Sequence, residues 1–241
     1  MIKNSMNTVS MLFLSKPQKE GEPLKMRMAI DLQEQNANTR KMASPLPDMN
    51  AILWHAAACH WSSLIDMLKA FEQVRIIHEH IWQSAVTTPD GNIVSHVTQI
   101  SDCNALAMWQ ALMNHIFSSY IGTFMDVYLD DIVIYSNSLE EHVKHVKLVI
   151  DILKWEELYL SEAKLHFLVK ELKILDCVID CDGIHMDPDK VDALVKWKTP
   201  TNRELLRGFQ GVAGYLADDI DQIHVPMEVL HELTSDSIPF Q

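Results

Sequence analysis

Apolar and polar positions change period several times along this chain. Residues 26–32 (Met-Arg-Met-Ala-Ile-Asp-Leu) alternate well enough to predict a strand. Residues 1–24 are polar and mixed, with Pro17, Gly21 and Pro23 interrupting, so no regular element is expected there. After a loop holding Pro45 and Pro47, Asp48 stands in front of the Ala-rich stretch 49–59, which reads as a helix with an Asp N-cap. Residues 63–71 and 73–77 predict a strand with an adjoining turn, and Pro89-Asp90-Gly91-Asn92 is a hairpin-turn signal. Residues 105–120 have helical composition, and Gly122 closes them. The stretch 124–135 is the most β-like of all, apolar on both sides of an acidic pair. Ser138-Leu139-Glu140-Glu141 fits a capping box, behind which Val143, Val146, Ile150 and Leu153 fall on one helical face. Strands are expected at 158–160 and 172–179, with Asp182-Gly183 as a turn, then helices at 189–197 and 202–216. Strands and helices mix without regular βαβ alternation, so the fold class is α+β.

Composition alters this picture little, and charge alters it more. With 241 residues, 48% hydrophobic and 22% charged, the chain can bury a sizeable core. No apolar run is long enough to span a bilayer, and no signal-peptide pattern opens the sequence. Four cysteines in this length do not form a disulfide framework; an intracellular setting, cytoplasmic or nuclear, is the expectation. Lys and Arg total 20 against 33 Asp and Glu, a net charge of −13. That is the wrong sign for a strong phosphate binder, although a local basic groove can coexist with an acidic remainder.

The chemically conspicuous feature is Tyr128-Leu129-Asp130-Asp131 within an apolar strand context. Carboxylates are depleted in strands and costly to bury unpartnered, so the pair demands a turn, a metal, or both. At a hairpin tip, neighbouring carboxylates offer hard oxygen ligands to a divalent cation. A solvated turn is the competing reading, and Asp218-Asp219, the same doublet near a helix end, receives no function. Cys177, Cys181 and His185 lack the close cysteine pair and fourth ligand of a zinc site. His142 and His145 are expected on an exposed helix face.

The run Phe124-Met-Asp-Val-Tyr-Leu-Asp-Asp-Ile-Val-Ile-Tyr-Ser136 resembles the polymerase signature of reverse transcriptases of gypsy-type LTR retrotransposons. Further blocks follow that family's order. Arg27-Met-Ala-Ile-Asp31 with Asn36 and Thr39 looks like a fingers motif, and Pro45-Leu-Pro47 like the lead into the first palm helix. Ser63-Leu-Ile-Asp66 with Ala70-Phe71 is similar to the first catalytic-aspartate block. Asn104-Ala105, Ala107 and Trp109-Gln110 resemble the helix before the catalytic hairpin. Residues 175–179 and 183–188 look like the primer-grip hairpin, and 197–202 with 205–209 like a thumb. Several ordered blocks are specific where one alone is weak.

The resemblance implies a right-hand polymerase with an antiparallel palm sheet and truncated fingers. Residues 1–45 would be residual fingers, 46–185 the palm with a fingers-like segment near 76–100 and the primer-grip hairpin near 172–185, and 186–241 the thumb. It implies RNA-directed DNA synthesis by two-metal-ion phosphoryl transfer, with Mg²⁺ (or Mn²⁺) on Asp66, Asp130 and Asp131. The partners implied are an RNA or DNA template with its primer and deoxynucleoside triphosphates, and no membrane. Arg27 would contact the triphosphate, Phe71 would screen the sugar 2′ side (core packing being its competing reading), and Ile100 and Ser101 would lie beside the nucleotide. Tyr128, Leu175 and Asp176 would serve the primer, and Lys164 would assist pyrophosphate departure.

Departures from the family pattern favour an alternative, a catalytically weak or inactive retroelement relic that at most binds nucleic acid or protein. Gln33 and Gln35 stand where the family has Arg and Leu, Leu106 and His78 replace prolines, and Ile100-Ser101 replaces Phe-Gly. Asp176 replaces the primer-grip Gly and brings a negative charge towards a phosphate backbone. Part of the usual fingers is expected to be missing before residue 9, and the chain to stop where a thumb hands over to RNase H. A metal-dependent nuclease is the third, disfavoured reading.

Overall fold

The alternating residues on either side of the acidic pair build one sheet, and that sheet organises everything near the carboxylates. The structure, a computed structural model, describes residues 9–15, 26–169, 171–215, 217 and 222–235, without the side chains at 12–14, 27–29, 162–164 and 215. The chain divides into two compact units, Met1–Lys170 and Glu171–Gln241.

In chain order the first unit holds β1 (Val9–Ser15), β2 (Met26–Ile30), α1 (Gln33–Asn38), α2 (Met49–Ala57), β3 (Trp61–Met67), β4 (Val86–Thr88), β5 (Gly91–Ile93), α3 (Ala105–Ile116), β6 (Met125–Tyr128), β7 (Asp131–Ser136), α4 (Leu139–Trp155) and β8 (Leu160–Val169). One sheet has the order β2-β1-β4-β5 and another β6-β7-β3-β8. The second is antiparallel throughout. Its two faces differ. Met125, Val127, Ile132, Ile134, Ile65 and Met67 share one face by the two-residue period, and they join Trp109 and Met113 of α3, Phe117 just after it, and Val149 and Leu153 of α4 in the main core. Full burial of each such side chain contributes about 1.5–3 kcal/mol, so this is where the unit's stability is concentrated.

Several expectations hold here. Asp48 caps α2 by accepting from the Asn50 N–H at 2.9 Å. Ser138 caps α4 as expected: its hydroxyl accepts from the Glu141 N–H at 3.3 Å and donates to the Glu141 carboxylate, rather than to a carbonyl, at 3.0 Å. Residues 88–91 turn between β4 and β5, with Gly91 at φ +124.

Others need correction. Residues 9–15 form a strand where none was expected, because Val-Ser-Met-Leu-Phe-Leu-Ser pairs antiparallel with β2 and parallel with β4. The remaining residues of the stretch 1–24 lie outside the described residues. β8 extends well past the short strand expected at 158–160, drawn out by pairing with β3. On α4 the buried positions are His142, Val149 and Leu153, while Val143 is 54% exposed.

His142 therefore does not lie on an exposed face. It is fully buried, with Nε2 2.7 Å from Ser63 Oγ and Nδ1 2.9 Å from Ser136 Oγ. Two hydroxyls satisfy both ring nitrogens, which is what makes a buried imidazole tolerable. Burial, and secondarily the neighbouring His145, hold its pKa below the ordinary value of 6.5. His145 in turn stacks on Phe124, ring centres 4.0 Å apart.

The second unit holds a three-stranded sheet, order β11-β10-β9, from β9 (Leu172–Ile174), β10 (Cys177–Asp180) and β11 (Gly183–Met186). The expected continuous strand over 172–179 is split at Leu175-Asp176, both at positive φ. Helices α5 (Pro188–Val195), α6 (Arg203–Tyr215) and α7 (His224–Glu232) follow, the last not anticipated from sequence. Asp218-Asp219 lies outside the described residues. None of the four cysteines forms a disulfide. Among the described residues no helix is long and apolar enough to cross a membrane.

Candidate active site

The site is built by register. β3 and β7 pair with Asp66 opposite Asp131, and β6 and β7 pair with Tyr128 opposite Asp131. Directly opposed residues share a face, so Tyr128, Asp131 and Asp66 form one row across three strands, on the face away from the α3/α4 core. Asp130 belongs to the two-residue turn that joins β6 to β7. Its carbonyl accepts from the Met67 N–H at 2.9 Å, which ties the turn to the end of β3 beside Asp66. All three carboxylates are partly exposed.

The turn is strained and held. Leu129 has φ +54, whereas Asp130 is not in the left-handed region, the φ pattern of a type II′ hairpin turn whose first central residue is normally Gly. A side chain there costs about 1–2 kcal/mol. Two consecutive residues of α3 meet both backbone groups of Leu129. Trp109 Nε1–H donates to the Leu129 carbonyl at 2.7 Å, and Gln110 Oε1 accepts from the Leu129 N–H at 2.8 Å. The Gln110 amide also donates to the Val127 carbonyl at 3.1 Å and to Asn114 Oδ1 at 2.9 Å. At about 1 kcal/mol each, the two bonds to Leu129 offset the strain. Both side chains are fully buried.

Behind the row, Asp126 is buried and accepts from two sides. His55 Nδ1 of α2 lies 2.8 Å away and the Tyr135 hydroxyl 3.0 Å. Burial first, then the Asp126 charge and hydrogen bond, push the Tyr135 phenol well above its ordinary range, so it stays a donor. Sequence reading overlooked Asp126. Its signal was a third acidic residue inside the same apolar strand, two before Tyr128. Trp109 and Gln110 were visible only as part of a block, because nothing local shows that they reach residues about twenty positions on.

The remaining candidates are placed as follows. Phe71 is partly buried and packs against the main core. Ile100 is 61% exposed. Ser101 has no positive φ, so the glycine conformation expected at that position is not demanded. Its carbonyl accepts from Asn36 Nδ2 at 2.8 Å while Asn36 Oδ1 accepts from the Cys103 N–H at 2.9 Å, tying α1 to this loop. Beside it, burial raises the pKa of Asp102, whose carboxylate accepts from the Gln99 N–H. Arg27 sits on β2 opposite Leu14, and Lys164 on β8 in the irregular stretch between the Leu165–Ile65 and Leu160–Met67 pairs. The side chains of both lie outside the described residues.

Leu175 and Asp176 belong to the second unit. They form the turn between β9 and β10, at φ +49 and +59, and Asp176 pairs with Lys190 at 3.2 Å. Among the described residues, three ligand-type side chains converge within 4.8 Å at Asp180, Cys181 and Asp182 rather than at the aspartate row. Asp180 there already accepts from the Asp182 N–H and lies 3.2 Å from His185 Nε2. The aspartates nonetheless suit a hard divalent cation by donor chemistry, being three carboxylates on adjoining backbone positions.

This fold has counterparts among solved structures. A foamy viral protease-reverse transcriptase in complex with an RNA/DNA hybrid superposes with a TM-score of 0.85 at 21% identity, over 99% of this chain and 31% of that one. A second structure of that protein, with double-stranded DNA, gives 0.81 over 95% of this chain and 46% of that chain. The fold is that of a reverse transcriptase. Residues 15–179 match the family described as reverse transcriptase (RNA-dependent DNA polymerase), and the chain belongs to that family. It is 35% identical over 191 residues to the retrovirus-related Pol polyprotein from transposon 297 of Drosophila melanogaster, covering 79% of this chain and 18% of that protein. It is 29% identical over 212 residues to the Transposon Tf2-3 polyprotein of Schizosaccharomyces pombe, covering 88% and 16%. The chain thus spans less than a fifth of these relatives' length.

Proposed function

We propose that this chain is the RNA-directed DNA polymerase region of a retrotransposon polyprotein. The observation that carries the reading is the cross-strand row of Asp66 and Asp131, with Asp130 in the adjoining turn. Asp66, Asp130 and Asp131 would hold Mg²⁺, or Mn²⁺ in its place. When bound, the metal supplies charge neutralisation and Lewis acidity for nucleotidyl transfer. Its partners are a primed RNA or DNA template and deoxynucleoside triphosphates, in keeping with the nucleic acids named for the foamy viral complexes.

Residues 1–45 are assigned to fingers, 46–185 to the palm with a fingers-like segment at 76–100, and 186–241 to the thumb. Arg27, Phe71, Ile100 and Ser101 are assigned to the nucleotide, Tyr128, Leu175 and Asp176 to the primer, and Lys164 to pyrophosphate departure. An intracellular setting agrees with four cysteines outside any disulfide.

The test is primer extension on an RNA template with magnesium, beside Asp130→Asn. Extension that vanishes in the variant supports the reading; a folded chain that never extends overturns it in favour of a catalytically weak relic. One observation speaks for that second reading. Asp176 brings a negative charge and a left-handed backbone to a position assigned to the primer. Asp176→Gly restoring extension to an otherwise silent chain would locate the lesion there.

A further inference from the structure

The carboxylate row depends on a turn that its own sequence does not favour. Leu129 occupies the position of a type II′ turn where Gly is normal, at φ +54. Left to itself, a Leu-Asp turn would spend time in other conformations, and Asp130 and Asp131 would swing with it. What meets Leu129 is unusually complete. Its carbonyl receives the Trp109 indole N–H and its N–H reaches the Gln110 side-chain carbonyl. Gln110 also donates to Val127, on the strand just before the turn. Adjacent residues on a helix point about 100° apart, and here they take the two opposite polar groups of one peptide residue. Both side chains are fully buried while Leu129 is partly exposed, so the clamp reaches the turn from the protein side.

We propose that Trp109 and Gln110 are positioning residues that clamp Leu129 in its left-handed conformation and so fix the directions of Asp130 and Asp131. The metal-directed part of this role rests on the polymerase reading above; the clamp itself does not. Neither residue touches a reacting group. Each acts through the backbone of residue 129.

The conservative variants are Trp109→Phe, which keeps an aromatic ring and deletes the N–H, and Gln110→Met, which keeps chain length and deletes both polar ends. Leu129→Gly supplies the turn with the residue it favours and serves as the rescue. The first readout is native-state amide exchange at Leu129. Each variant is expected to speed exchange there by roughly fivefold to tenfold, the worth of one hydrogen bond, with α4 amides unchanged. The second readout is Mn²⁺ affinity by paramagnetic relaxation, with Asp130→Asn as the blank. Trp109→Phe is expected to weaken binding, and adding Leu129→Gly to restore it.

Unchanged Leu129 exchange in both variants overturns the clamp. Faster exchange with parental Mn²⁺ affinity, or a loss that Leu129→Gly does not restore, overturns the positioning role. A parent chain that binds Mn²⁺ no better than Asp130→Asn sinks the metal reading, while exchange at Leu129 still decides the clamp.

Discussion

Two turns in this protein share the dipeptide Leu-Asp and the left-handed Leu, yet they are secured in opposite ways. At Leu129-Asp130 both polar groups of the leucine are met by buried side chains of a neighbouring helix. At Leu175-Asp176 both residues are left-handed, the pattern of a type I′ turn that prefers Asn-Gly. There the Asp176 carbonyl accepts from the Asp187 N–H at 3.0 Å, and its carboxylate meets Lys190 at the surface. Buried, fully satisfied bonds specify one geometry, whereas an exposed ion pair is worth 0–1 kcal/mol or so. The first turn is thus held by buried side chains of a helix, the second by a backbone bond and a surface ion pair.

The largest effect expected from probing this contrast is on activity. Asp130→Asn should lower primer extension by roughly three orders of magnitude, the scale of a lost charge-stabilising group, whereas Asp176→Asn should change it by less than about tenfold. Comparable losses would erase the distinction. Next comes stability. Gln110→Ala removes the side-chain partner of the Leu129 N–H and of the buried Val127 carbonyl and should cost about 2–4 kcal/mol in denaturant titrations. Lys190→Ala should cost under about 1 kcal/mol.

A third measurement sharpens the contrast through pH. The folded pKa of His142 lies below 6.5, so between that value and 6.5 the unfolded chain binds a proton that the folded chain refuses. The stability this contributes is present above about pH 6.5 and is lost as pH falls below it. His145, also lowered by burial, adds in the same direction. His142→Gln should flatten the slope in a pH series of unfolding midpoints. The smallest effect is at the exposed turn. Asp176→Gly relieves left-handed strain of about 1–2 kcal/mol but gives up the Lys190 pair and adds unfolded-state freedom. A net gain of a few tenths of a kcal/mol is expected, read by amide exchange across β9 and β10.

Much of the first unit was legible because local chemistry and tertiary pairing agree there. Asp48 and Ser138 announce their helices, and the apolar alternation around Asp130 announces its hairpin. What escaped was set by distant partners. Residues 9–15 needed β2 and β4 to become a strand. His142 looks like a surface histidine until Ser63, 79 residues away, supplies its hydrogen bond. Asp126 looks like an intruder in a strand until His55, 71 residues away, is found beside it. Of the candidate site, motifs named the three carboxylates, and the strand register sets two of them, Asp66 and Asp131, opposite one another. The support under them was not legible, because Trp109 and Gln110 act on backbone groups, which carry no residue-specific signature.

The pairing of Asp66 with Asp131 also governs which kinds of genetic change the chain can absorb. Substitutions along β3 and β7 alter one side chain at a time. Removing a single residue inside either strand instead shifts every later position to the opposite face. One aspartate of the row would then point into the packed interior, and an isoleucine would take its place outside. A chain that has lost or gained one codon in these strands should therefore lose the row even when all three aspartates survive.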